Sequence, residues 1–465
     1  MENRIEMVDI TVDATRHNPA VRLAKGYFQR WRRAITYPLI ALFLLAPWLQ
    51  LNEAPLLWMD LSSRELHVLG LTFWPDDLLI LTWMAFAAAF GLFAVATFAG
   101  RLWCGFSCPQ TVWTMMFIWV EEKIQGSRNQ RLKEQGKPLK EKRLFRLVAK
   151  HVVWWLIALV TGFTFVAFFE TGQGLASAIV SGEAGVSVWF WIMFFASLTY
   201  INGGWLREQV CMHMCPYSRF QSVMLDRKSL KVTYDVNRGE PRIQKGSQSS
   251  SVAKSEKGDC VDCNLCVQVC PVGIDIRDGL QYACIDCAAC IDACDEVMNK
   301  VKKPTGLIRF DFGEFAQTKI ATWRFKDLLT ERGKLWGYSL LFALFTAMFV
   351  LQIIYRETLD VHFTRDRGQL YFYNGNGELA NRYGLKLHNK TQQDATLDLS
   401  IARNGMVLNS DRQVTIGKGE SRTIPVEVQC QFPCEFPSRT QIDLVIKNAK
   451  TQETWSMTNQ FFVPQ

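Results

Sequence analysis

Cys260-Val261-Asp262-Cys263-Asn264-Leu265-Cys266-Val267-Gln268-Val269-Cys270-Pro271 and Cys284-Ile285-Asp286-Cys287-Ala288-Ala289-Cys290-Ile291-Asp292-Ala293-Cys294 carry the same spacing, C-x2-C-x2-C-x3-C, twice in succession. A cubane iron–sulfur cluster takes four thiolates, and this spacing lets one tight loop give three of them while the fourth comes from the other run. The expected ligand sets therefore cross: Cys260, Cys263, Cys266 and Cys294 for one [4Fe–4S] cluster, and Cys284, Cys287, Cys290 and Cys270 for the other. Zinc is the rival reading of paired C-x2-C. It asks for no third cysteine at the same interval in each run, so the spacing favours two clusters. Asp295 stands where Pro271 stands in the first run, a departure that removes no ligand.

Outward from this insert the chain is apolar in blocks. Of 465 residues 49% are hydrophobic, with 16 Trp and 31 Phe. Five blocks are long enough to read as membrane spans: 34–51, 78–99, 151–169, 186–206 and 336–355. The first is short and holds Pro38 and Pro47, so a buried or re-entrant segment is its alternative. No signal-peptide pattern precedes it: the apolar block begins late and no small-residue cleavage site follows.

Lys and Arg in the flanking loops set the expected orientation. Residues 1–33 hold Arg30, Arg32 and Arg33 among several cations, loop 100–150 is strongly basic, and loop 170–185 has no Lys or Arg. Loop 52–77 offers Arg64 against Glu53, Asp60, Glu65, Asp76 and Asp77. The alternation predicts an N-terminus and a cluster insert inside the cell and a C-terminus outside. The net charge of +8 then reflects topology, and no basic stretch interleaved with exposed aromatics points to nucleic acid. A cytoplasmic insert also keeps its thiols reduced and free for iron.

The first four spans read as two halves, each ending in a Cys-x3-Cys-Pro element: Arg101-Leu102-Trp103-Cys104-Gly105-Phe106-Ser107-Cys108-Pro109-Gln110, and Arg207-Glu208-Gln209-Val210-Cys211-Met212-His213-Met214-Cys215-Pro216-Tyr217. The residue before proline is pushed away from helical backbone, so Cys108 and Cys215 are expected on turns, with Pro109 and Pro216 opening helices. A thiol at a helix N-terminus is biased toward thiolate. Four such thiols at one membrane depth suit Cu(I) or a further iron–sulfur centre, with Met212, His213 and Met214 as added soft or borderline ligands. The competing reading is structural: buried cysteines often pack as small apolar groups, and His213, Met115 and Met116 fit ordinary polar or packing roles.

Read in order, the chain has a cytoplasmic segment (1–33), a transmembrane core (34–226), a linker (227–258) with the Ser-rich stretch Lys245–Ser255, a ferredoxin-like 2[4Fe–4S] insert (259–305), a connector (306–335), a last span (336–355) and a region of short alternating runs (359–465). Those runs are separated by turns such as Asn374-Gly375-Asn376-Gly377 and read as an immunoglobulin-like β-sandwich of about 100 residues. The predicted class is a multi-domain membrane protein: an α-helical transmembrane core, a ferredoxin-like insert and a C-terminal sandwich. On the outer side, Cys430-Gln431-Phe432-Pro433-Cys434 admits a disulfide or a copper-accepting thiol pair. Dinucleotide-binding G-x-G-x-x-G is missing after any expected strand, and His151 is the lone histidine near a span interior, which disfavours nicotinamide, flavin and b-type haem.

This order of parts resembles the CcoG/FixG/RdxA family of cytochrome c oxidase accessory proteins. The membrane half also resembles the NapH and NosR electron-transfer proteins, which share Cys-x3-Cys-Pro but lack the outer sandwich. The resemblance implies assistance in maturing cbb3-type cytochrome oxidase by reducing Cu(II) to Cu(I). It implies an inner-membrane setting, with oxidase subunits and periplasmic copper chaperones as partners. The electron donor, cytoplasmic or quinol, stays open. A quinol-oxidising subunit and a redox-sensing scaffold are the rival functions.

Overall fold

The computed structural model describes residues 20–51, 54–138, 140–225, 228–242, 258–312, 332–366, 368–374, 377–391, 393–431 and 436–464. Two compact units divide at Phe349 and Val350. In the first unit the helices are α1 (Tyr27–Leu45), α2 (Leu78–Ala99), α3 (Leu102–Phe106), α4 (Pro109–Gln125), α5 (Arg128–Glu134), α6 (Glu141–Glu170), α7 (Gly172–Ser181), α8 (Val186–Tyr200), α9 (Pro216–Met224), α10 (Val236–Gly239), α11 (Leu265–Gln268), α12 (Ala289–Lys300) and α13 (Gly333–Ile354). Helix α8 runs on through a π-helical turn, Ile201–Leu206, and a second one covers Val210–Met214.

Among the described residues, four helical segments are long and apolar enough to cross a membrane: α2, α6, Val186–Leu206 and α13. Hardly any of α2 or α13 is buried within the chain. A helix that is apolar on all sides yet uncovered by protein is one solvated by lipid. The bounds of the expected first span are corrected here. Its segment forms α1, which begins at Tyr27 and ends at Leu45. Starting seven residues early brings Arg30, Arg32 and Arg33 into the helix, and these charges keep α1 out of the four apolar segments. It nonetheless runs from the insert, where Gln29 Nε2 meets the Cys287 carbonyl, to the far end of α6, where the Gly172 N–H donates to the Pro47 carbonyl.

The spans pack through small residues and rings. Gly162 of α6 lies where an added Cβ would stand 2.5 Å from the Ile192 carbonyl oxygen of α8, so the two backbones touch. Phe345 of α13 stacks on Trp83 at 5.8 Å and Phe90 at 5.3 Å from α2. A three-stranded antiparallel sheet, Leu57–Asp60, Glu65–Val68 and Leu71–Phe73, fills the loop expected on the outer side. Trp58 Nε1 ties it to the end of α6 by donating to the Phe169 carbonyl at 3.0 Å.

The cluster insert is framed by two strands that the sequence reading left in linker and connector. Leu230–Tyr234 pairs antiparallel with Ile308–Phe312, and Val232 and Ile308 are buried under it. The Ser-rich stretch Lys245–Ser255 lies outside the described residues.

In the second unit one sheet orders Met406–Leu408, Ser421–Cys430, Leu379–Asn389 and Leu359–Arg365, with Phe372–Tyr373 added beside Leu379–Asn389. The other orders Gln413–Ile416, Ala395–Ile401, Arg439–Asn448 and Thr454–Phe462. Alternation puts Tyr383, Leu385 and Leu387 of one sheet and Ile442, Leu444 and Ile446 of the other into a shared core. Cys430 is disulfide-bonded, and Cys434 lies outside the described residues.

Candidate iron–sulfur and thiol site

The two cysteine loops are built alike. Asp262 and Asn264 flank Cys263 with φ of 43° and 57°, and Asp286 and Ala288 flank Cys287 with φ of 51° and 58°. Left-handed backbone is uncommon outside glycine and costs roughly 1–2 kcal/mol per residue. Two loops holding it at matching positions are shaped to turn three thiols and several N–H groups around one object. Asn264 and Ala288 then cap α11 and α12.

The cysteines of each expected set lie near one another. Cys294 lies within electrostatic reach of Cys266, Cys260 and Cys263. Cys270, Cys284, Cys287 and Cys290 line one cavity with Val232, Ile274 and Ile276, and Cys266 borders it. Burial pushes the thiols of Cys266, Cys270 and Cys294 up to about 12, and those of Cys284, Cys287 and Cys290 up as well. Crowded, dry thiols of this kind need a cation to hold them as thiolates. Among the described residues, no three His, Cys, Asp or Glu side chains converge as ligands of a single ion would. A cubane asks for a different arrangement, because each thiolate bonds a separate iron.

A further observation fits an anionic group here. Gln29 and Arg32 are the buried residues of α1, one turn apart. Gln29 Nε2 donates to the Cys287 carbonyl at 3.1 Å. Arg32 is 4% exposed, feels the charge of Cys287, and keeps an Nη2 nitrogen with no hydrogen-bond partner. Asp292 of α12 fixes the start of α1 by accepting from the Phe28 and Gln29 N–H groups at 3.1 and 2.8 Å, a capping carboxylate on the positive helix end. Gly26 makes room for it, since a Cβ there would lie 2.4 Å from Asp292 Oδ1.

The Cys-x3-Cys-Pro elements repeat one construction. Cys108 and Cys215 have extended backbone and precede helices α4 and α9, with Pro109 and Pro216 as first helical residues. The Cys108 N–H donates to the Trp103 carbonyl at 3.0 Å, and the Cys215 N–H to the Val210 carbonyl at 2.8 Å. Three residues after each second cysteine a hydroxyl reaches back to the first: Thr111 Oγ1 donates to the Cys104 carbonyl at 2.7 Å, and Ser218 Oγ to the Cys211 carbonyl at 2.5 Å. The duplication thus extends to C-x3-C-P-x-[ST].

The four thiols share electrostatic reach. Cys211 feels Cys108, Cys104 and Cys215, and Cys104 feels Cys108 and Cys215. The expected thiolate bias is overruled. The Gln110 and Thr111 N–H groups at the helix end do favour a Cys108 thiolate, but burial outweighs them and its thiol is raised. Burial likewise lifts Cys104 and Cys211 to about 12. Cys104 Sγ donates to Gln221 Oε1 at 3.4 Å. Met212 is half-buried, whereas His213 and Met214 are exposed.

Both elements sit on the second cluster loop. Arg101 donates to the Tyr282 and Cys284 carbonyls at 2.5 and 3.2 Å and to the Ser218 carbonyl at 3.1 Å. Its own N–H and that of Val232 go to the buried Asp286 carboxylate, each at 3.1 Å. Cys104 packs against the core that holds Cys287, and a Cβ on Gly105 would stand 2.7 Å from the Ile285 carbonyl oxygen. Arg101, Asp286, Gln221 and Arg32 were missed as site residues. The sequence did place an arginine ahead of each Cys-x3-Cys-Pro, which was the available sign for Arg101.

Comparison with known proteins agrees with this build. Residues 206–313 match a family described as a 4Fe–4S dicluster domain, residues 81–126 a 4Fe–4S binding domain, and residues 349–464 the "IG-like fold at C-terminal of FixG". The nitrogen fixation protein FixG of Rhizobium meliloti is 33% identical over 459 residues, covering 88% of this chain and 85% of its own length. Protein RdxA of Cereibacter sphaeroides is 33% identical over 391 residues, covering 82% and 81%, and protein RdxB of the same organism is 35% identical over 387, covering 80% and 78%. A crystal structure of a FixG-related protein from Vibrio parahaemolyticus aligns with 23% of this chain and 99% of its own, at 23% identity and a TM-score of 0.22. With its paired cysteine loops, apolar spans and C-terminal sandwich, the chain belongs to the FixG/RdxA family of membrane iron–sulfur electron-transfer proteins.

Proposed function

We propose that this chain is a membrane-bound cupric reductase that assists copper insertion into cbb3-type cytochrome oxidase. The observation that carries the reading is the seating of Cys104, Cys108, Cys211 and Cys215 on the second cluster loop through Arg101. When bound, the two [4Fe–4S] clusters supply one-electron carriers, and Cu(II) reduction is a one-electron step. Cys260, Cys263, Cys266 and Cys294 would hold one cluster, and Cys284, Cys287, Cys290 and Cys270 the other. Arg101 and Asp286 fix the distance between the loop and the four membrane-side thiols.

Copper is the substrate in this reading. Cu(II) takes up one electron from the reduced protein and leaves as Cu(I), and thiol sulfur favours that product. Burial favours the protonated thiols of Cys104, Cys108 and Cys211, so a copper ion displaces protons as it binds there. The match of residues 81–126 to a 4Fe–4S binding family also supports electron relay, or a further metal centre, at the Cys104/Cys108 element. The proposed setting is the inner membrane, with the insert cytoplasmic and the sandwich periplasmic, facing oxidase subunits and copper chaperones. A cytoplasmic or quinol donor would load the insert.

The test is stoichiometric Cu(I) formation by the full chain, reduced anaerobically and freed of reductant, read with a Cu(I)-specific chelator. Wild type should yield Cu(I), and Cys104→Ser and Cys211→Ser should lose most of the rate while keeping their insert clusters. Unchanged rates in both variants would sink the assignment. Cluster reduction by a quinol with no Cu(I) formed would favour the quinol-oxidising reading instead.

A further inference from the structure

Between α4, α5, α6 and the turn after α8 lies a cavity of about 210 Å³ lined by Glu121, Arg131, Lys150, His151, Trp154 and Arg207. Three cations face one carboxylate. Arg131 Nη1 stands 3.0 Å and Arg207 Nη2 2.9 Å from Glu121 Oε2, and Lys150 Nζ is 3.9 Å from Oε1. These side chains are 9%, 6% and 11% exposed, and Glu121 is 12% exposed. Burial pushes the Glu121 carboxyl up, yet the guanidinia of Arg207 and Arg131 and the Lys150 ammonium together hold it below the ordinary range. The carboxylate is therefore ionised, and it cancels one of three positive charges.

Arg131 supplies a second, independent sign. Its Nη1 is taken by Glu121 and its Nη2 donates to the Val21 carbonyl at 2.6 Å, but its Nε is buried with no hydrogen-bond partner. The other walls are committed elsewhere. Trp154 Nε1 donates to the Phe117 carbonyl at 3.1 Å, and His151 Nδ1 meets the Tyr200 hydroxyl at 2.8 Å. Excess positive charge and an idle guanidinium nitrogen ask for an oxyanion, and a guanidinium fork matches phosphate geometry. Lys150 and His151 lie at the start of the apolar run of α6, and exposed Trp205 borders the same cavity. That is the level of phospholipid headgroups.

We infer that this cavity binds a phosphate oxyanion, brought either as the headgroup of an anionic phospholipid or as free phosphate. Glu121 is on the helix opened by Cys108, and Arg207 lies just before Cys211, so the occupant would brace the two halves.

Native mass spectrometry of the cluster-loaded full chain in detergent tests this with dioleoyl-phosphatidylglycerol, dioleoyl-phosphatidylcholine and inorganic phosphate as probes. One phosphatidylglycerol per chain should bind, at least tenfold more tightly than phosphatidylcholine. Arg131→Gln should weaken it about tenfold, and Lys142→Gln, an exposed cation at the start of α6, should not. If Arg131→Gln loses its iron, Lys150→Gln serves in its place with the same expectation. Displacement by millimolar phosphate would make free phosphate the source, and resistance to it the lipid; both support the site. Four results overturn it: no binding of either anion, equal binding of phosphatidylcholine, equal loss in Lys142→Gln, or binding seen only after residues 1–19 are deleted.

Discussion

Arg32 brings a full charge into a buried place beside Cys287 and leaves one nitrogen unbonded there. A cation near a cluster favours its reduced, more negative form, and hydrogen bonds to cluster sulfur act in the same direction. Arg32→Gln should therefore lower one of two reduction potentials and leave the other in place. The shift should be on the order of a tenfold change in the oxidised-to-reduced ratio, about 59 mV for one electron. A redox titration followed by electron paramagnetic resonance checks it, and unmoved potentials at full iron content would refute it. Ala288 offers a second residue-scale test. Its φ of 58° strains alanine but not glycine. Ala288→Gly should keep iron and melt no lower than wild type, while Ala288→Val should lower both melting temperature and iron content.

At the level of elements, the proposed ligand sets make the cysteine loops a swapped pair, each run lending its last thiol to the other. Cys294→Ser should then cost the cluster of Cys260, Cys263 and Cys266, and Cys270→Ser the cluster of the later run. Either variant should fall from roughly eight irons per chain to roughly four. Spectra in which Cys294→Ser spares the earlier run's cluster would reject the crossed ligand sets. The Cys-x3-Cys-Pro turns were legible in the sequence because proline dictates local backbone. The hydroxyl return of Thr111 and Ser218 was legible too, but only once the turn was seen to bring position eight back to position one. Arg101 and Asp286 were not, since they lie 185 residues from each other and their partners Cys284, Ser218 and Val232 lie 54 to 183 residues away. The expected first span was drawn too late in the chain for a physical reason. Its apolar stretch is short, and helix propagation carried it back over three arginines to the cap that Asp292 provides. Strands Leu359–Arg365, Met406–Leu408 and Gln413–Ile416 also went unread, two of them being too short to show alternation.

For the molecule as a whole, the proposed topology puts the cluster insert and the sandwich on opposite sides of a bilayer. Protease added to spheroplasts should remove the Val350–Gln465 unit and leave the insert intact, and digestion of the insert from outside would contradict that topology. Everything assigned to the thiols of the membrane half presupposes the neighbouring clusters, so the most direct measurement is made on them. Anaerobically purified full-length protein should contain roughly eight irons and eight acid-labile sulfides. On reduction with dithionite it should show two magnetically interacting [4Fe–4S] signals. Iron-free protein, or protein carrying zinc on these cysteines, would contradict the account.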